Sequence, residues 1–206
     1  MIQKKIFLKT EGNRYYERNK NIFSKNLEFI SKKIITYKKY AKILEIGCGE
    51  GHLLNKIYQK KREHNLYGID PSSQAIKNKC NKHLKLIRGT ADNLKYRNNF
   101  FDIVIFGFCL YLIDSNLLFK VIFEADRVLK KNGIIVIYDF YNNKSIFKNY
   151  IHNKSITIHK MNFSKLFLVN PNYELIYKKV GDHENILKKS KYPDNKVALF
   201  FLQKKC

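Results

Sequence analysis

The segment Ile43–Leu54 reads ILEIGCGEGHLL and places Gly47, Gly49 and Gly51 within five residues. The apolar run before the glycines predicts a short buried strand, and the residues after them predict the start of a helix. Glycine permits a tight turn and lets a ligand approach the backbone. The first turn of the helix adds unpaired N–H groups and the positive end of a dipole. We therefore expect a ligand site at this turn.

The spacing of these glycines argues against two common phosphate-binding turns. A dinucleotide-binding turn reads G-x-G-x-x-G, whereas this one reads G-x-G-x-G. A P-loop needs a lysine followed by Ser or Thr after the glycines, but His52 and Leu53 stand there. Glu45, two residues before the turn, would repel a pyrophosphate but attract an ammonium group. S-adenosylmethionine carries an α-amino group, a carboxylate and a sulfonium centre, and it therefore matches an acidic residue beside a glycine turn.

Strands and helices alternate over the middle of the chain. Apolar runs predict strands over residues 42–46, 65–70, 84–88, 101–107 and 134–140. Helical signals predict helices over residues 51–60, 72–80 and 116–130, the last ended by Gly133 as its C-cap. Residues 173–180 and 196–203 predict two strands joined by a polar loop that contains Gly181, Asp182 and His183. The pattern predicts an α/β protein with a doubly wound, mostly parallel sheet and a closing antiparallel hairpin.

The first forty residues predict helices, because apolar side chains recur there at roughly helical spacing. These side chains are Tyr15, Tyr16, Ile22, Phe23, Leu27, Ile30, Ile34 and Ile35. A length of 206 residues fits one domain. We expect a single domain over residues 1–206, with a helical cap over 1–40, a cofactor-binding core over 41–140, and an acceptor-pocket segment with the closing hairpin over 141–206.

Five motifs occur in the order in which a known family carries them. They are ILEIGCGEG, LYGIDPSSQAI, GTADNL, NNFFDIVIFGFCLYL and EADRVLKKNGIIVIYDF. On these motifs, roughly residues 40–140 resemble the class I S-adenosylmethionine-dependent methyltransferases of the small-molecule type. The resemblance implies a Rossmann-like sheet of seven strands, S-adenosylmethionine as the cofactor, and methyl transfer as the reaction.

The resemblance also implies a set of cofactor-binding residues. Asp70, at the tip of the second strand, would hold both ribose hydroxyls, although an Asp before Pro71 is also a common start of a helix. Asp92 would accept a hydrogen bond from the adenine amine, unless it is only a turn residue, and the backbone at Ala91 would meet the ring. Tyr16 and Arg18 are expected to reach the methionine carboxylate; the alternative is a solvated amphipathic helix. The expected cofactor set is Tyr16, Arg18, Glu45, Gly47, Cys48, Gly49, Gly51, Asp70, Pro71, Ala91, Asp92, Phe106 and Gly107.

The loop after the fourth strand lacks the signatures of two classes of nucleic-acid methyltransferase. Enzymes that methylate the amino group of adenine carry an Asn/Asp-Pro-Pro-aromatic run there, but Gly107–Tyr111 reads GFCLY. Enzymes that methylate C5 of pyrimidines use a Pro-Cys nucleophile, and no proline in this chain precedes a cysteine. Cys109 is therefore expected to be a packing residue. These absences disfavour a nucleic-acid acceptor, although methylation of ribose or guanine stays open.

The acceptor is expected beyond the C-terminal ends of the strands, with residues 141–170 forming a wall of its pocket. We expect the general base to be one of His152, His159 and His183, because imidazole titrates near neutral pH. The alternative for each is a surface histidine in a lysine-rich chain.

The formal net charge is +23, carried almost entirely by lysine. Such a charge is typical of proteins with polyanionic partners, but A/T-rich codons produce the same lysine-rich composition. Cys48, Cys80, Cys109 and Cys206 are scattered, form no CxxC pair and indicate no metal site. The chain starts without the apolar core of a signal peptide and has no run long enough to span a membrane, so we expect a cytoplasmic protein.

Three functions follow from these observations. The first is methyl transfer to an oxygen or nitrogen of a small molecule, for which a sugar or nucleotide-sugar of surface glycan synthesis is one candidate. The segments EGNRYYERN and FGFCLYLID resemble a bacterial subgroup that is encoded among surface-polysaccharide genes. The second is an RNA methyltransferase that uses the basic surface. The third is a non-catalytic, methyltransferase-like binding module.

Overall fold

The computed structural model describes residues 2–21 and 24–205. Its strands are β1 (Lys42–Ile46), β2 (Asn65–Asp70), β3 (Lys85–Arg88), β4 (Phe101–Gly107), β5 (Leu129–Phe140), β6 (Ile146–Tyr150), β7 (Asn153–Lys160), β8 (Tyr173–Asp182) and β9 (Lys196–Lys204). Its α-helices are α1 (Ile2–Ile6), α2 (Gly12–Asn19), α3 (Asn26–Ile34), α4 (His52–Lys60), α5 (Ser73–Lys77), α6 (Leu118–Val128) and α7 (Lys165–Leu168). A π-helical turn over Phe7–Glu11 joins α1 to α2.

Seven strands form one sheet in the order β3-β2-β1-β4-β5-β9-β8. The five strands β1 to β5 pair in parallel among themselves, whereas β9 pairs antiparallel with both β5 and β8. The predicted doubly wound fold with a closing hairpin is therefore confirmed. The chain leaves β1 toward β2 on one side and later returns to β4 on the other, so the strand order reverses beside β1. Ligands of such sheets bind at the carboxyl ends of the strands at this reversal.

The central strands of the sheet, such as β4, are buried on both faces, which explains their apolar runs, whereas the edge strands β3 and β8 are largely exposed. In β4, Ile103 and Ile105 pack with side chains of α3 and α4, whereas Val104 and Phe106 pack with α6 and α7. None of these four side chains is more than 1% exposed. Helices of both layers thereby fix the strand ends that carry the site.

The N-terminal segment is helical but not regular. The π-helical turn shifts the helical register between α1 and α2, so a single 3.6-residue period does not describe the faces of this segment. Asn13 of α2 accepts hydrogen bonds from the Ser72 hydroxyl (2.9 Å) and the Gln74 N–H (3.2 Å), and these bonds dock α2 on the start of α5. Ile22 and Phe23, which contributed to the predicted spacing, lie outside the described residues.

Two expectations about element ends were wrong. Helix α6 ends at Val128, and Leu129 is already extended and pairs with Phe101. Asn132, not Gly133, has a left-handed backbone (φ 57°), so the tight turn follows the start of β5 and does not cap the helix.

The segment 141–170, for which no element was predicted, contains an antiparallel hairpin of β6 and β7. Gln3 of α1 ties this hairpin to the rest of the protein. Its side-chain N–H donates to the carbonyl oxygens of Leu112 (3.0 Å) and Thr157 (3.2 Å), and the Thr157 N–H donates back to the Gln3 side chain (2.9 Å). Gln3 is only 7% exposed, so the N-terminal helix and the hairpin form a continuous roof over the carboxyl ends of the strands.

Among the helices of residues 2–21 and 24–205, none combines the length and the apolar character that crossing a bilayer requires.

Candidate functional site

The glycine turn after β1 depends on backbone conformations that favour glycine. Gly47, Gly49 and Gly51 have φ angles of +75°, +53° and +91°. A Cβ atom on Gly47 would lie 2.5 Å from the Cβ of Cys109, so the turn also packs too closely for a side chain there. A Cβ on Gly49 would meet nothing within 4 Å and would instead project into open space. The turn is therefore tight on one side and open to a ligand on the other.

Asp70 ends β2 and fixes the glycine turn. One carboxylate oxygen accepts the Gly49 N–H (2.9 Å), and the other accepts the Ser72 N–H (2.8 Å). Burial raises the pKa of Asp70, although these two N–H groups oppose the shift. Each oxygen keeps a further lone pair for a ligand hydroxyl.

An inner cavity opens beside the glycine turn, at the reversal of strand order. It encloses about 820 Å³ counted to its open mouth. Its lining residues are Lys4, Phe7, Gly12, Tyr15, Ile46, Gly47, Ile69, Asp70, Pro71, Gly89, Thr90, Ala91, Asp92, Phe108, Cys109, Leu112, Ile113, Asp114, Leu117 and Val121. Five of the predicted cofactor residues therefore line the same cavity, namely Gly47, Asp70, Pro71, Ala91 and Asp92.

Asp92 carries an ion pair inside this cavity. Its carboxylate accepts a hydrogen bond from the Lys4 ammonium at 2.6 Å and is only 4% exposed. Burial alone would raise the pKa of Asp92, but Lys4 and the Thr90 hydroxyl outweigh burial, and the pKa lies below its ordinary value. Asp92 is thus an ionised hydrogen-bond acceptor at neutral pH.

The loop over residues 89–99 that carries Asp92 is held from α6. Arg127 donates to both carboxylate oxygens of Glu124 (2.8 Å each) and to the carbonyl oxygens of Leu94 (2.9 Å) and Tyr96 (2.8 Å). Glu124 in turn accepts the Leu94 N–H at 2.8 Å. This network fixes the loop, and with it the position of Asp92.

A smaller recess follows the outside of the glycine turn. It is lined by Tyr16, Cys48, Gly49 and Asp70, among others. The Tyr16 hydroxyl donates to Glu50, which also lines this recess, at 3.0 Å. Arg18 does not line this recess or either larger space.

Arg18 is engaged elsewhere. Its guanidinium donates to the carboxylate of Glu11 and to the Tyr150 hydroxyl, the latter at 3.0 Å. Glu11 is fully buried, and the hydrogen bond from Arg18 to Tyr150 couples α2 to β6. Within the described residues, the structure therefore gives Arg18 a partner inside the protein and no position on a cavity wall.

An outer cleft of about 2230 Å³ lies on the far side of the loop after β4. Its floor is aromatic, built from Phe108, Tyr111, Tyr138, Phe140 and Tyr150. Its rim carries Lys25, Asp182, His183, Glu184, Asn185, Lys188, Lys189, Lys191, Tyr192 and Asn195. The remaining lining residues are Tyr15, Asn19, Ser24, Leu27, Glu45, Leu53, Gly107 and His152. The cleft thus combines ring-stacking surface with charged groups.

Tyr15 and Phe108 line all three spaces, so the inner cavity and the outer cleft meet at these two side chains. Phe108 has a left-handed backbone (φ 60°), which is unfavourable for a bulky residue and is typical of functional sites. Its N–H donates to the Tyr138 carbonyl oxygen at 2.8 Å. The Tyr15 and Tyr111 hydroxyls lie 3.2 Å apart beside it.

Asp139, at the end of β5, holds the loop that contains Phe108. Its carboxylate accepts the Leu110 N–H and the Phe140 N–H, both at 2.7 Å, and is 1% exposed. Burial raises the pKa of Asp139 to about 7 despite these bonds.

Glu45 lies below the cleft and not in the inner cavity. It is 5% exposed, and one of its carboxylate oxygens has no hydrogen-bond partner. Burial, and next the charge of Asp70, raise the pKa of Glu45 well above its ordinary value. A Cβ on Gly107 would collide with the Glu45 carboxylate, which explains the glycine at the end of β4.

The three candidate histidines are separated by the structure. His183 lines the cleft, with its ring centroid 5.0 Å from that of Phe108 and 5.6 Å from that of Phe140. Contact with these rings partly removes the His183 imidazole from water and lowers its pKa. His152 also lines the cleft and packs edge-on against Tyr150. His159 is stacked on Phe147 in the hairpin at 4.1 Å and lines neither space.

The two remaining predicted residues serve the frame of the site. Phe106 is fully buried in the core. Gly51 begins α4, and a Cβ there would lie 2.5 Å from the Leu84 side chain. No group of three or more His, Cys, Asp or Glu side chains within the described ranges is arranged to hold a metal ion.

Sequence reasoning missed the cavity residues that the N-terminal segment supplies, namely Lys4, Phe7 and Tyr15. The π-helical turn places them, and its register shift left no regular period to detect.

Residues 44–137 match a family described as methyltransferase domain. No curated protein matches the chain. Three solved structures are similar in fold. An S-adenosylmethionine-dependent methyltransferase from Methanosarcina mazei is 18% identical, with 84% of this chain and 97% of that chain covered and a TM-score of 0.67.

The second is 1,6-didemethyltoxoflavin-N1-methyltransferase from Burkholderia thailandensis, solved with bound 1,6-didemethyltoxoflavin and S-adenosylhomocysteine. It is 10% identical, with 93% and 84% covered and a TM-score of 0.72. The third is a putative methyltransferase of Haloferax volcanii in complex with the activator Trm112. It is 14% identical, with 97% and 98% covered and a TM-score of 0.72.

Proposed function

The chain carries a class I methyltransferase domain that uses S-adenosylmethionine, and from this premise we propose that it methylates an oxygen or nitrogen atom of a small molecule bound in the outer cleft. The observation that carries the proposal is the meeting of the inner cavity and the outer cleft at Tyr15 and Phe108. Two ligands that fill these spaces would face each other across two side chains.

The residues of the inner cavity fit this cofactor. Asp70 has free lone pairs for the ribose hydroxyls, and Asp92 is an ionised acceptor for the adenine amine. The open side of Gly49 leaves room for the methionine portion beside the start of α4, with Tyr16 at the recess. Glu45 lies against Gly107 at the end of β4 and outside the inner cavity, so we assign it no direct contact with the cofactor. Arg18 would reach the cofactor only after leaving Glu11, so we do not assign it a role in binding.

When bound, S-adenosylmethionine supplies an electrophilic methyl group on its sulfonium centre. The chain's own contribution is then alignment and the exclusion of water. The roof of α1, the π-helical turn and the hairpin would close the inner cavity, while Phe108 and Tyr111 would orient the acceptor ring.

His183 is the best placed of the three histidines to remove a proton from the acceptor. It packs against Phe108, it faces the cleft, and its lowered pKa keeps the imidazole neutral. His152 is a second candidate in the same cleft. His159 would require the hairpin to open, because it is enclosed between Phe147 and Phe163.

The acceptor is a sugar or a nucleotide-sugar of surface glycan synthesis. The aromatic floor supports this proposal, because flat rings and the apolar faces of sugars pack on such surfaces. The similarity of EGNRYYERN and FGFCLYLID to a bacterial glycan-associated subgroup also supports it.

Mass spectrometry of product after incubation with S-adenosylmethionine and a panel of nucleotide-sugars tests this function. The His183→Gln, His152→Gln and His159→Gln variants form a matched series. We expect His183→Gln to lower turnover and to remove the acidic limb of the pH–rate profile, with His159→Gln near wild type. Full turnover in His183→Gln would refute its role as the base. A cofactor that binds but is never consumed, whatever acceptor is offered, would instead favour a binding module.

RNA is a second candidate acceptor, favoured by the net charge of +23. It predicts binding that weakens steeply with salt and methylation of a ribose or guanine. Transfer of label to total RNA, with none to small molecules, would favour it.

We also propose that residues 1–206 act as one domain. In this arrangement residues 1–40 are the cap, 41–140 bind the cofactor, and 141–206 supply the acceptor wall and the closing hairpin.

A further inference from the structure

The loop between β8 and β9 brings cations to the rim of the outer cleft. Lys188, Lys189 and Lys191 line the cleft from this loop, and Lys25 lines it from the start of α3. None of these four lysines pairs with a carboxylate in the part of the chain that the structure describes. Four unpaired ammonium groups on one cleft repel each other, and an anion would relieve that repulsion.

The loop is anchored and does not trail in solvent. Asn26 of α3 donates to the His183 carbonyl oxygen (2.8 Å) and accepts the Ile186 N–H (2.7 Å). Ile186 is fully buried, and the Asp182 N–H donates to the Lys188 carbonyl oxygen at 3.0 Å. The lysines therefore stand at positions that the fold defines, next to the proposed base.

The carboxylates of the cleft do not neutralise these lysines. Asp182 accepts the Ser190 hydroxyl (2.7 Å) and the Glu184 N–H (3.0 Å). Glu45 lies at the floor, below the rim. Glu184 is the third acidic group on the lining, so four lysines face three carboxylates, of which Glu45 is buried.

We propose that this lysine rim binds a phosphate or pyrophosphate group of the acceptor, which is therefore a phosphorylated small molecule. The inference rests on the proposed function and adds to it a subsite and a ligand class. Lysine suits this task as a flexible point charge that tolerates several phosphate geometries. The acceptor's reacting ring would lie on the floor formed by Phe108, Tyr111 and Phe140, while its anionic end meets the rim.

Calorimetric titration with inorganic pyrophosphate, uridine diphosphate and uridine tests the proposal. The test variant is Lys188→Gln/Lys189→Gln/Lys191→Gln. The control, Lys82→Gln/Lys95→Gln/Lys131→Gln, removes the same charge from exposed lysines that line none of the three spaces. We expect both phosphate ligands to bind wild type and the control, and to lose roughly tenfold or more in affinity in the test variant. Uridine should bind weakly to all three.

Several results would overturn the proposal. One is that neither pyrophosphate nor uridine diphosphate binds to wild type. Another is an equal loss of affinity in the test and control variants, which would show an effect of net charge alone. Binding of a short RNA that falls in the test variant, with no binding of the two small phosphate ligands, would also overturn it in favour of a nucleic acid.

Titration of the same samples with S-adenosylhomocysteine separates this proposal from the methyltransferase function. Normal binding of that cofactor product with no phosphate binding refutes the rim alone. Lys25→Gln, at the start of α3 and outside the loop, provides an independent variant. It should weaken pyrophosphate binding without changing the binding of S-adenosylhomocysteine.

Discussion

Replacing Asp70 with Asn isolates the carboxylate on which the proposed cofactor site depends most. The side chain keeps its shape, but it loses its charge and exchanges one acceptor oxygen for an N–H donor. That donor would face the N–H of Gly49 or Ser72, both of which the carboxylate now accepts within 2.9 Å. The loop should therefore loosen slightly even before a ligand binds.

The expected loss of affinity follows from the bonds to the ribose. Hydrogen bonds to a charged group contribute about 1.5–3 kcal/mol each, and neutral ones contribute roughly half as much. Two ribose hydroxyls then lose about 1.5–3 kcal/mol together, which corresponds to a Kd for S-adenosylhomocysteine raised about 10- to 100-fold. Burial of Asp70 already opposes its ionisation, which favours the lower end of this range.

Calorimetry with S-adenosylhomocysteine measures this change, and a thermal melt shows that the variant is folded. Asp102→Asn is the matched control, because Asp102 also accepts a backbone N–H, that of Lys42 at 2.8 Å, but lines none of the cavities. A Kd for Asp70→Asn within about twofold of wild type, in a folded protein, would refute the assignment of the ribose site.

Three further predictions concern the frame of the site. Gly49→Ala should cost only about 1 kcal/mol of unfolding free energy for its positive φ, yet weaken S-adenosylhomocysteine binding more than about tenfold, because its Cβ would enter the recess. Equal affinity in calorimetry would contradict this. Arg127→Ala should lower the unfolding free energy by about 2–4 kcal/mol in urea denaturation and speed hydrogen exchange over residues 89–99. Arg127→Lys should restore less than half of the lost unfolding free energy. Unchanged hydrogen exchange in Arg127→Ala would count against the network. Asp139, whose folded pKa of about 7 exceeds the ordinary value of 3.8, stabilises the fold below about pH 4, and this contribution, on the order of 4 kcal/mol, is lost as pH rises to about 7. Asp139→Asn cannot titrate, so its deficit in unfolding free energy relative to wild type should shrink between about pH 4 and pH 7. A deficit that stays constant over this range would refute the pKa shift.

The central strands could be predicted from the sequence to the residue. Strands β1, β2 and β4 match the predicted ranges, because a strand buried on both faces must be apolar throughout, and polar or glycine residues must end it. The glycine turn, Asp70 and Asp92 carried local signals at strand ends, and the topology brings those ends together. All three now line the same cavity or its recess.

The parts that depend on docking could not be predicted. Strands β6 (IFKNY) and β7 (NKSITIHK) are short and mix lysine and asparagine with their apolar residues, so the sequence resembles a loop. His159 lies opposite Phe147 in that hairpin, and only this register shows that its ring is enclosed. Tyr15 and Tyr16 are neighbours in sequence, yet the register after the π-helical turn points Tyr15 at the junction of the two spaces and Tyr16 at the recess.

The bridge that Gln3 makes between α1 and the hairpin has a kinetic consequence. The same few hydrogen bonds close the roof of the inner cavity and position one wall of the outer cleft. A ligand that enters or leaves through this roof would break these bonds and thereby disturb the binding site of the other ligand. We therefore expect an ordered sequence, in which the cofactor enters before the acceptor, the methylated acceptor departs first, and release of the spent cofactor limits steady-state turnover. Product-inhibition patterns would show this order, and Gln3→Ala should make it random while raising the rate of cofactor exchange.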